Sequence, residues 1–177
     1  MKEVNQVLQR RVTIWENLNA NDYDQRRLCL GPFSGRSTNI CSHLNGMLIN
    51  PNCEFELNFI PLNTLGQWFQ SFAQQSGEND YQVNEALHRA IEQWLPLFNQ
   101  VDQFFLCKSS FSIFFLVNSK NKSSMIEYDD VKLLIDLFYL PYQNGVTAQK
   151  LLNDFYWLRF YCDLPEKVLR SRFLNLF

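Results

Sequence analysis

Twice in its first 72 residues the chain runs through the same pattern: a short apolar stretch, an asparagine-rich break, and a segment with helical spacing. Val12-Thr13-Ile14-Trp15 is rich in β-branched residues and stops at the polar stretch Glu16-Asn17-Leu18-Asn19-Ala20-Asn21-Asp22. Leu30-Gly31-Pro32-Phe33-Ser34-Gly35 reads as loop, because Gly and Pro punctuate it, and Thr38 to Leu44 suits a short helix. The pattern then restarts. Gly46-Met47-Leu48-Ile49 ends at Asn50-Pro51-Asn52, and Phe55 to Phe72 reads as helix with an irregularity near Pro61. Short apolar runs of this kind suit strands buried on both faces. Val4, Val7 and Leu8, set among Glu3, Asn5, Gln6, Gln9 and Arg10, predict a helix ahead of the first strand. Strand, loop, helix, repeated, is the rhythm of parallel βα units and predicts an α/β fold.

The rest of the chain is helical in character. Ala86, Leu87, Ala90, Ile91, Trp94, Leu95 and Phe98 make one apolar face and predict a helix over Tyr81 to Phe98. Residues 99–127 lose that period. They hold a Phe-rich run, Phe104 to Val117, and the polar stretch Asn118 to Ser124, which reads as linker. Asp129 is placed to cap a helix carrying Val131, Leu134, Ile135 and Phe138; Pro141 and Gly145 end it. A second helix with Ala148, Leu151, Leu152, Phe155 and Leu158 completes a helical hairpin, and residues 161–177 suit one more short helix.

Composition excludes several classes. A net charge of -2 gives no electrostatic footprint for nucleic acid or an acidic membrane. The run Phe104 to Val117 is interrupted by Lys108 and is shorter than the roughly 20 apolar residues a membrane helix needs. Cys29, Cys41, Cys53, Cys107 and Cys162 lack CxxC spacing, so reduced, buried thiols in a reducing compartment are expected. His43 and His88 have no third partner at metal-ligand spacing, and no metal or cofactor is expected. Phosphate-loop, GxSxG and Cys–His nucleophile patterns are missing. Arg10-Arg11 and Arg26-Arg27 read as solvated or barrel-closing charges.

In parallel βα barrels the chemistry gathers in loops at the C-terminal ends of the strands. Here those loops carry Trp15, Asn17, Asn19, Asn21, Asp22 and Tyr23 in the first unit, and Asn50 and Asn52 in the second. The residue types suit a sugar. An Asp carboxylate accepts from neighbouring hydroxyls, Asn amides donate and accept, and an aromatic face matches the C–H side of a pyranose. Composition alone also fits turns and caps.

The order of residues sharpens this. Val12 to Gln25, Leu30-Gly31-Pro32, Gly35-Arg36-Ser37-Thr38 and Asn50-Pro51-Asn52-Cys53-Glu54-Phe55-Glu56 closely resemble the late-barrel signature of the O-GlcNAcases, glycoside hydrolase family 84. The resemblance resumes at Ala86-Leu87, Trp94-Leu95, Asp136-Leu137-Phe138-Tyr139-Leu140-Pro141-Tyr142 and Phe155-Tyr156-Trp157-Leu158-Arg159. It implies that residues 1–98 are the last βα units of a (β/α)8 TIM-type barrel, that 99–127 are a linker, and that 128–160 begin a helical stalk, with 161–177 unassigned. It further implies that Trp15 walls the sugar pocket, that Asn17 lies near the acetamido group, and that Asp22 and Asn50 bind sugar hydroxyls. Asn21, Tyr23 and Asn52 are expected as supports.

The mechanism implied is substrate-assisted: the substrate's N-acetyl oxygen forms an oxazoline, and an adjacent Asp pair orients it and supplies the general acid and base. That pair belongs to an earlier strand, so no catalytic residue is expected in this chain. Asp129-Asp130 is not a substitute, because it serves the start of the stalk-like helix. O-GlcNAc-modified proteins as partners, dimerisation through the stalk, and a cytoplasmic and nuclear location are implied with it. Two other readings compete: a catalytically dead sugar- or protein-binding fragment, and an unrelated helical interaction protein.

Overall fold

The protein is described by a computed structural model over residues 1–24, 27–74, 81–100, 126–140 and 145–161. Its elements run α1 (Lys2–Leu8), β1 (Val12–Glu16), a 3-10 turn (Thr38–His43), β2 (Leu44–Ile49), a second 3-10 turn (Phe55–Asn58), α2 (Phe59–Ala73), α3 (Val83–Gln100), α4 (Tyr128–Leu137) and α5 (Val146–Tyr161). The chain divides into two compact units, Met1–Ala90 with Tyr139–Tyr142, and Ile91–Phe138 with Gln143–Phe177.

In the first unit β1 and β2 pair in parallel, as the repeated pattern requires. Thr13 stands opposite Gly46, Ile14 opposite Met47, Trp15 opposite Leu48 and Glu16 opposite Ile49, after an irregularity between Val12 and Thr13. Successive side chains point to opposite faces of such a ladder. One face meets a core of Leu18, Phe33, Leu65 and Trp68, against which Met47, Ile49, Ile40, Cys41 and Tyr81 pack. The other face, with Thr13, Trp15 and Leu48, is exposed. The expectation of strands buried on both faces is therefore corrected: α2 and the loops lie against one side only, and no described element covers the other.

Three hydrogen bonds, one buried and two half-buried, lock this core. Trp68 Nε1 donates to the Arg36 carbonyl at 2.9 Å, Phe33 N–H donates to Thr64 Oγ1 at 2.8 Å, and Tyr81 OH donates to the Phe33 carbonyl at 2.6 Å. Phe33 meets Trp68 edge-on, with ring centroids 5.1 Å apart. Burial pushes the Tyr81 hydroxyl up to about 12. The expected irregularity near Pro61 is a real boundary. The chain turns through 3-10 geometry over Phe55–Asn58 before α2 begins, which puts Pro61 in the first helical turn, where its missing N–H leaves no bond unmade.

Gly31 has a steric reason to be glycine. A Cβ there would lie 2.2 Å from the Tyr139 carbonyl oxygen. The same carbonyl accepts from Cys29 Sγ at 3.3 Å. The LGP loop and the start of the Tyr139–Tyr142 segment thus meet backbone to backbone.

In the second unit α4 buries Val131, Leu134, Ile135 and Phe138 at helical spacing, and α5 buries Ala148 and Leu151. The end of α3 buries Ile91 and Trp94, and its Asn99 exchanges two bonds with the backbone of Ile126, at 3.1 and 3.2 Å. The helix expected from Tyr81 starts at Val83 instead, its first turn closed by Ala86 N–H on the Gln82 carbonyl. Asp129 is not the cap of α4. Glu127 is, in a reciprocal capping box with Asp130, whose Oδ2 accepts from Glu127 N–H at 3.0 Å; Asp129 sits in the first turn. Of the cysteines, Cys29 is a buried free thiol, Cys41 is half-buried and Cys53 is exposed, against the expectation of burial. Cys53 lies on the loop after β2, held there by its backbone rather than its side chain. The Phe-rich run, the polar linker stretch, Cys107, Cys162 and the helix expected over 161–177 lie outside the described residues, apart from Tyr161, the last residue of α5. No helix among the described residues is long and apolar enough to cross a membrane.

Candidate functional site

The C-terminal ends of β1 and β2 lie side by side, and the ladder continues one step past them: Asn50 N–H donates to the Glu16 carbonyl at 2.8 Å. This register brings three of the expected site residues together. Trp15 Nε1 donates to Asn17 Oδ1 at 2.7 Å, and Asn50 Nδ2 donates to the same oxygen at 3.2 Å. The polarity of this trio is fixed by the indole, which can only donate. Asn17 must turn its oxygen to Trp15, so Asn50 must turn its nitrogen to Asn17. That leaves Asn17 Nδ2 as an uncommitted donor and Asn50 Oδ1 as an uncommitted acceptor among the described residues. A donor and an acceptor on adjacent strand ends, beside an exposed indole face, match a hydroxylated ring that carries an amide.

Asp22 and Tyr23 follow on the same loop and are exposed. Asp22 makes no hydrogen bond or ion pair among the described residues, which leaves its carboxylate open to a ligand. The bend that presents it is set by its neighbours. Asp24 N–H donates to the Asn21 carbonyl at 3.1 Å, and Arg27 N–H to the Asp24 carbonyl at 2.9 Å. The Asp24 carboxylate pairs with Arg27 at 3.3 Å.

Asn21 and Asn52 are buried rather than presented. Asn21, fully buried, accepts from Cys53 N–H at 2.8 Å and donates to Glu54 Oε2 at 2.9 Å. Asn52 Nδ2 donates to the Cys29 carbonyl at 3.2 Å. Asn21 therefore ties the loop after β1 to the loop after β2, and Asn52 ties the latter to the LGP segment.

Three residues to which the sequence assigned no role complete the scaffold. Asn19, in the left-handed region at φ 59°, donates to the carbonyls of Cys29 and Gly31 at 3.3 and 3.2 Å. Glu54 receives Asn21, and Asn58 clasps the second loop. Asn19 carried a usable signal, since Asn tolerates left-handed backbone. Burial raises the Cys29 thiol, opposed in part by a backbone hydrogen bond at Gly31, so it is no ready nucleophile. Among the described residues no three His, Cys, Asp or Glu side chains gather as a metal site. His88 is exposed on α3, and His43 ends the first 3-10 turn.

Comparison with known proteins agrees with the residue pattern. The NAGidase family, described as beta-N-acetylglucosaminidase, matches residues 1–105, more than half of the chain. Protein O-GlcNAcase of Rattus norvegicus and that of Mus musculus are each 51% identical to it over 71 residues, which is 40% of this chain. That stretch spans only 8% of the length of either relative. With its matched segment containing both strands and both strand-end loops, the chain belongs to the beta-N-acetylglucosaminidase family.

Proposed function

We propose that the strand-end loops of this chain form one wall of the sugar pocket of a glycoside hydrolase that removes O-linked N-acetylglucosamine from Ser and Thr of proteins. The observation that carries this is the Trp15–Asn17–Asn50 trio, with its polarity set by the indole and one donor and one acceptor left over. In this reading β1 and β2 are late strands of a (β/α)8 barrel, and α4 and α5 begin a helical stalk as a hairpin. Trp15 offers its face to the pyranose, Asn17 donates near the acetamido group, and Asp22 and Asn50 take the distal hydroxyls. Asn21, Tyr23 and Asn52 hold these in place.

The chemistry is retaining and substrate-assisted. The acetamido oxygen attacks the anomeric carbon, the bond to the Ser or Thr oxygen breaks, and a general acid protonates that oxygen. Water, deprotonated by the same residue, then opens the oxazoline. Trp15 and the asparagines orient the sugar so that its acetamido oxygen reaches the anomeric carbon. The carboxylate pair this needs has no counterpart at the described strand ends. The one adjacent Asp pair in the described residues, Asp129-Asp130, lies in the first turn of α4 with Asp130 engaged in the capping box. A second reading keeps the sugar contact without the turnover: a sugar- or protein-binding fragment.

O-GlcNAc-modified proteins as partners, dimerisation through the stalk, and a cytoplasmic and nuclear location go with the first reading. The test uses a chimera in which residues 1–161 of this chain replace the stretch of the rat protein that this reading aligns with them. The chimera is expected to hydrolyse a fluorogenic N-acetylglucosaminide, and the 177-residue chain alone is expected to be inactive and poorly soluble, with strand edges unpaired. A folded chimera without turnover would favour the second reading.

A further inference from the structure

Helix α2 begins after Asn58, a residue type that usually caps the helix it precedes. Here the Asn58 side chain makes no cap bond to α2. It turns back into the loop after β2. Its Oδ1 accepts from Asn52 N–H at 2.8 Å, and its Nδ2 donates to the carbonyls of Asn52 and Glu54 at 3.0 and 3.1 Å. It is buried, and its bonds run to loop backbone alone. One amide therefore fixes both backbone groups of Asn52 and the carbonyl two residues on.

The loop so held is short. Asn50 is anchored by its N–H to Glu16, Pro51 has a fixed φ and no donor, and Asn52 is locked by Asn58. Cys53 N–H is held from the opposite side by Asn21. The position of the Asn50 side chain is thus set between the β1 ladder on one side and the Asn58 clasp on the other. We propose that Asn58 is a positioning residue for sugar binding, acting through Asn50 by holding the loop that presents it. The inference rests on the reading of Asn50 as a sugar ligand given above.

A double-mutant cycle tests it in the same chimera, with N-acetylglucosamine-thiazoline as the probe and calorimetry as the readout. Asn50→Ala is expected to weaken binding about tenfold, the size of one lost hydrogen bond in a closed pocket. Asn58→Ala is expected to weaken it several-fold, and the double variant is expected to bind no worse than Asn50→Ala, because residues acting in series are not additive. Should Asn58→Ala fail to fold, Asn58→Asp, which keeps the acceptor for Asn52 N–H but loses both donated bonds, takes its place in the cycle. Multiplying single effects in the double variant, or unchanged affinity beside a lowered melting temperature, would overturn the positioning role and leave the sugar reading intact. Unchanged affinity in Asn50→Ala alone would overturn both, and the two failures are told apart by that single variant.

Discussion

Two tryptophans of the first unit show how its core and its site divide the work. Trp68 is fully buried, touches Phe33 and Phe69 edge-on, and donates its indole N–H to a backbone carbonyl. Trp15 is 65% exposed and donates its indole N–H to a side-chain amide whose own nitrogen is left over. The first bond closes a network; the second leaves one open. An indole face of about 200 Å² left in water beside an open donor is a surface that a ligand can cover.

Substitution should separate the two roles. In the chimera, Trp68→Ala is expected to destabilise by about 3–5 kcal/mol, the range for emptying a packed aromatic site. Trp15→Ala is expected to shift stability by no more than about 0.5 kcal/mol, as surface changes do, while abolishing measurable binding of the thiazoline. Denaturant unfolding and calorimetry read the two effects. Equal destabilisation by both variants would erase the contrast.

The second expected effect concerns the LGP loop behind the site. Gly31→Ala forces a methyl group into the Tyr139 carbonyl and should cost about 1–3 kcal/mol, as overpacking does. Because the carbonyls of Cys29 and Gly31 hold Asn19, and that of Cys29 also holds Asn52, sugar affinity should fall with it. A variant with wild-type stability would show that the backbone contact gives way freely.

The smallest effect sharpens the core side of the comparison. Tyr81→Phe removes one hydrogen bond to Phe33 and should cost about 0.5–1.5 kcal/mol. It should also alter the alkaline limb. The native hydroxyl is raised to about 12 from an ordinary value of 10, so between those values the unfolded chain loses a proton that the folded chain keeps. Stability conferred by Tyr81 is present below pH 10 and is lost as pH rises toward 12. The Phe variant lacks that decline, which stability curves of the two proteins across this window would reveal.

The parts of the fold legible in the sequence were those carried by local pattern. Val12–Trp15 and Gly46–Ile49 announce strands as short apolar runs between polar breaks, and Ala86 to Trp94 announce a helix because its buried face recurs at helical period. The asparagine scaffold was not legible in the same way. Asn21, Asn52 and Asn58 look alike as turn-forming residues, yet Asn21 pairs 32 residues away, with Cys53, and Asn52 pairs 23 away, with Cys29. Such pairings exist only once β1 and β2 have met. The cap of α4 was misplaced for a different reason. Asp129 fits a cap by type, but Glu127 and Asp130 stand at the three-residue spacing that lets both satisfy the backbone, and two bonds outweigh one. The exposed face of Trp15 and Leu48 was hidden by the opposite error. An apolar run reads as buried, and only the pairing shows which side of it has a neighbour.

The central claim, that the open side of this contrast is a sugar site, is tested most directly by titrating N-acetylglucosamine-thiazoline into the chimera and its Asp22→Ala and Asp130→Ala variants. Losing a charged acceptor from a ligand hydrogen bond costs about 1.5–3 kcal/mol, so Asp22→Ala should bind more than tenfold more weakly. Asp130→Ala, which opens only the capping box of α4, should bind as the parent does. Unchanged affinity in Asp22→Ala would contradict the assignment of the strand-end loops to the sugar.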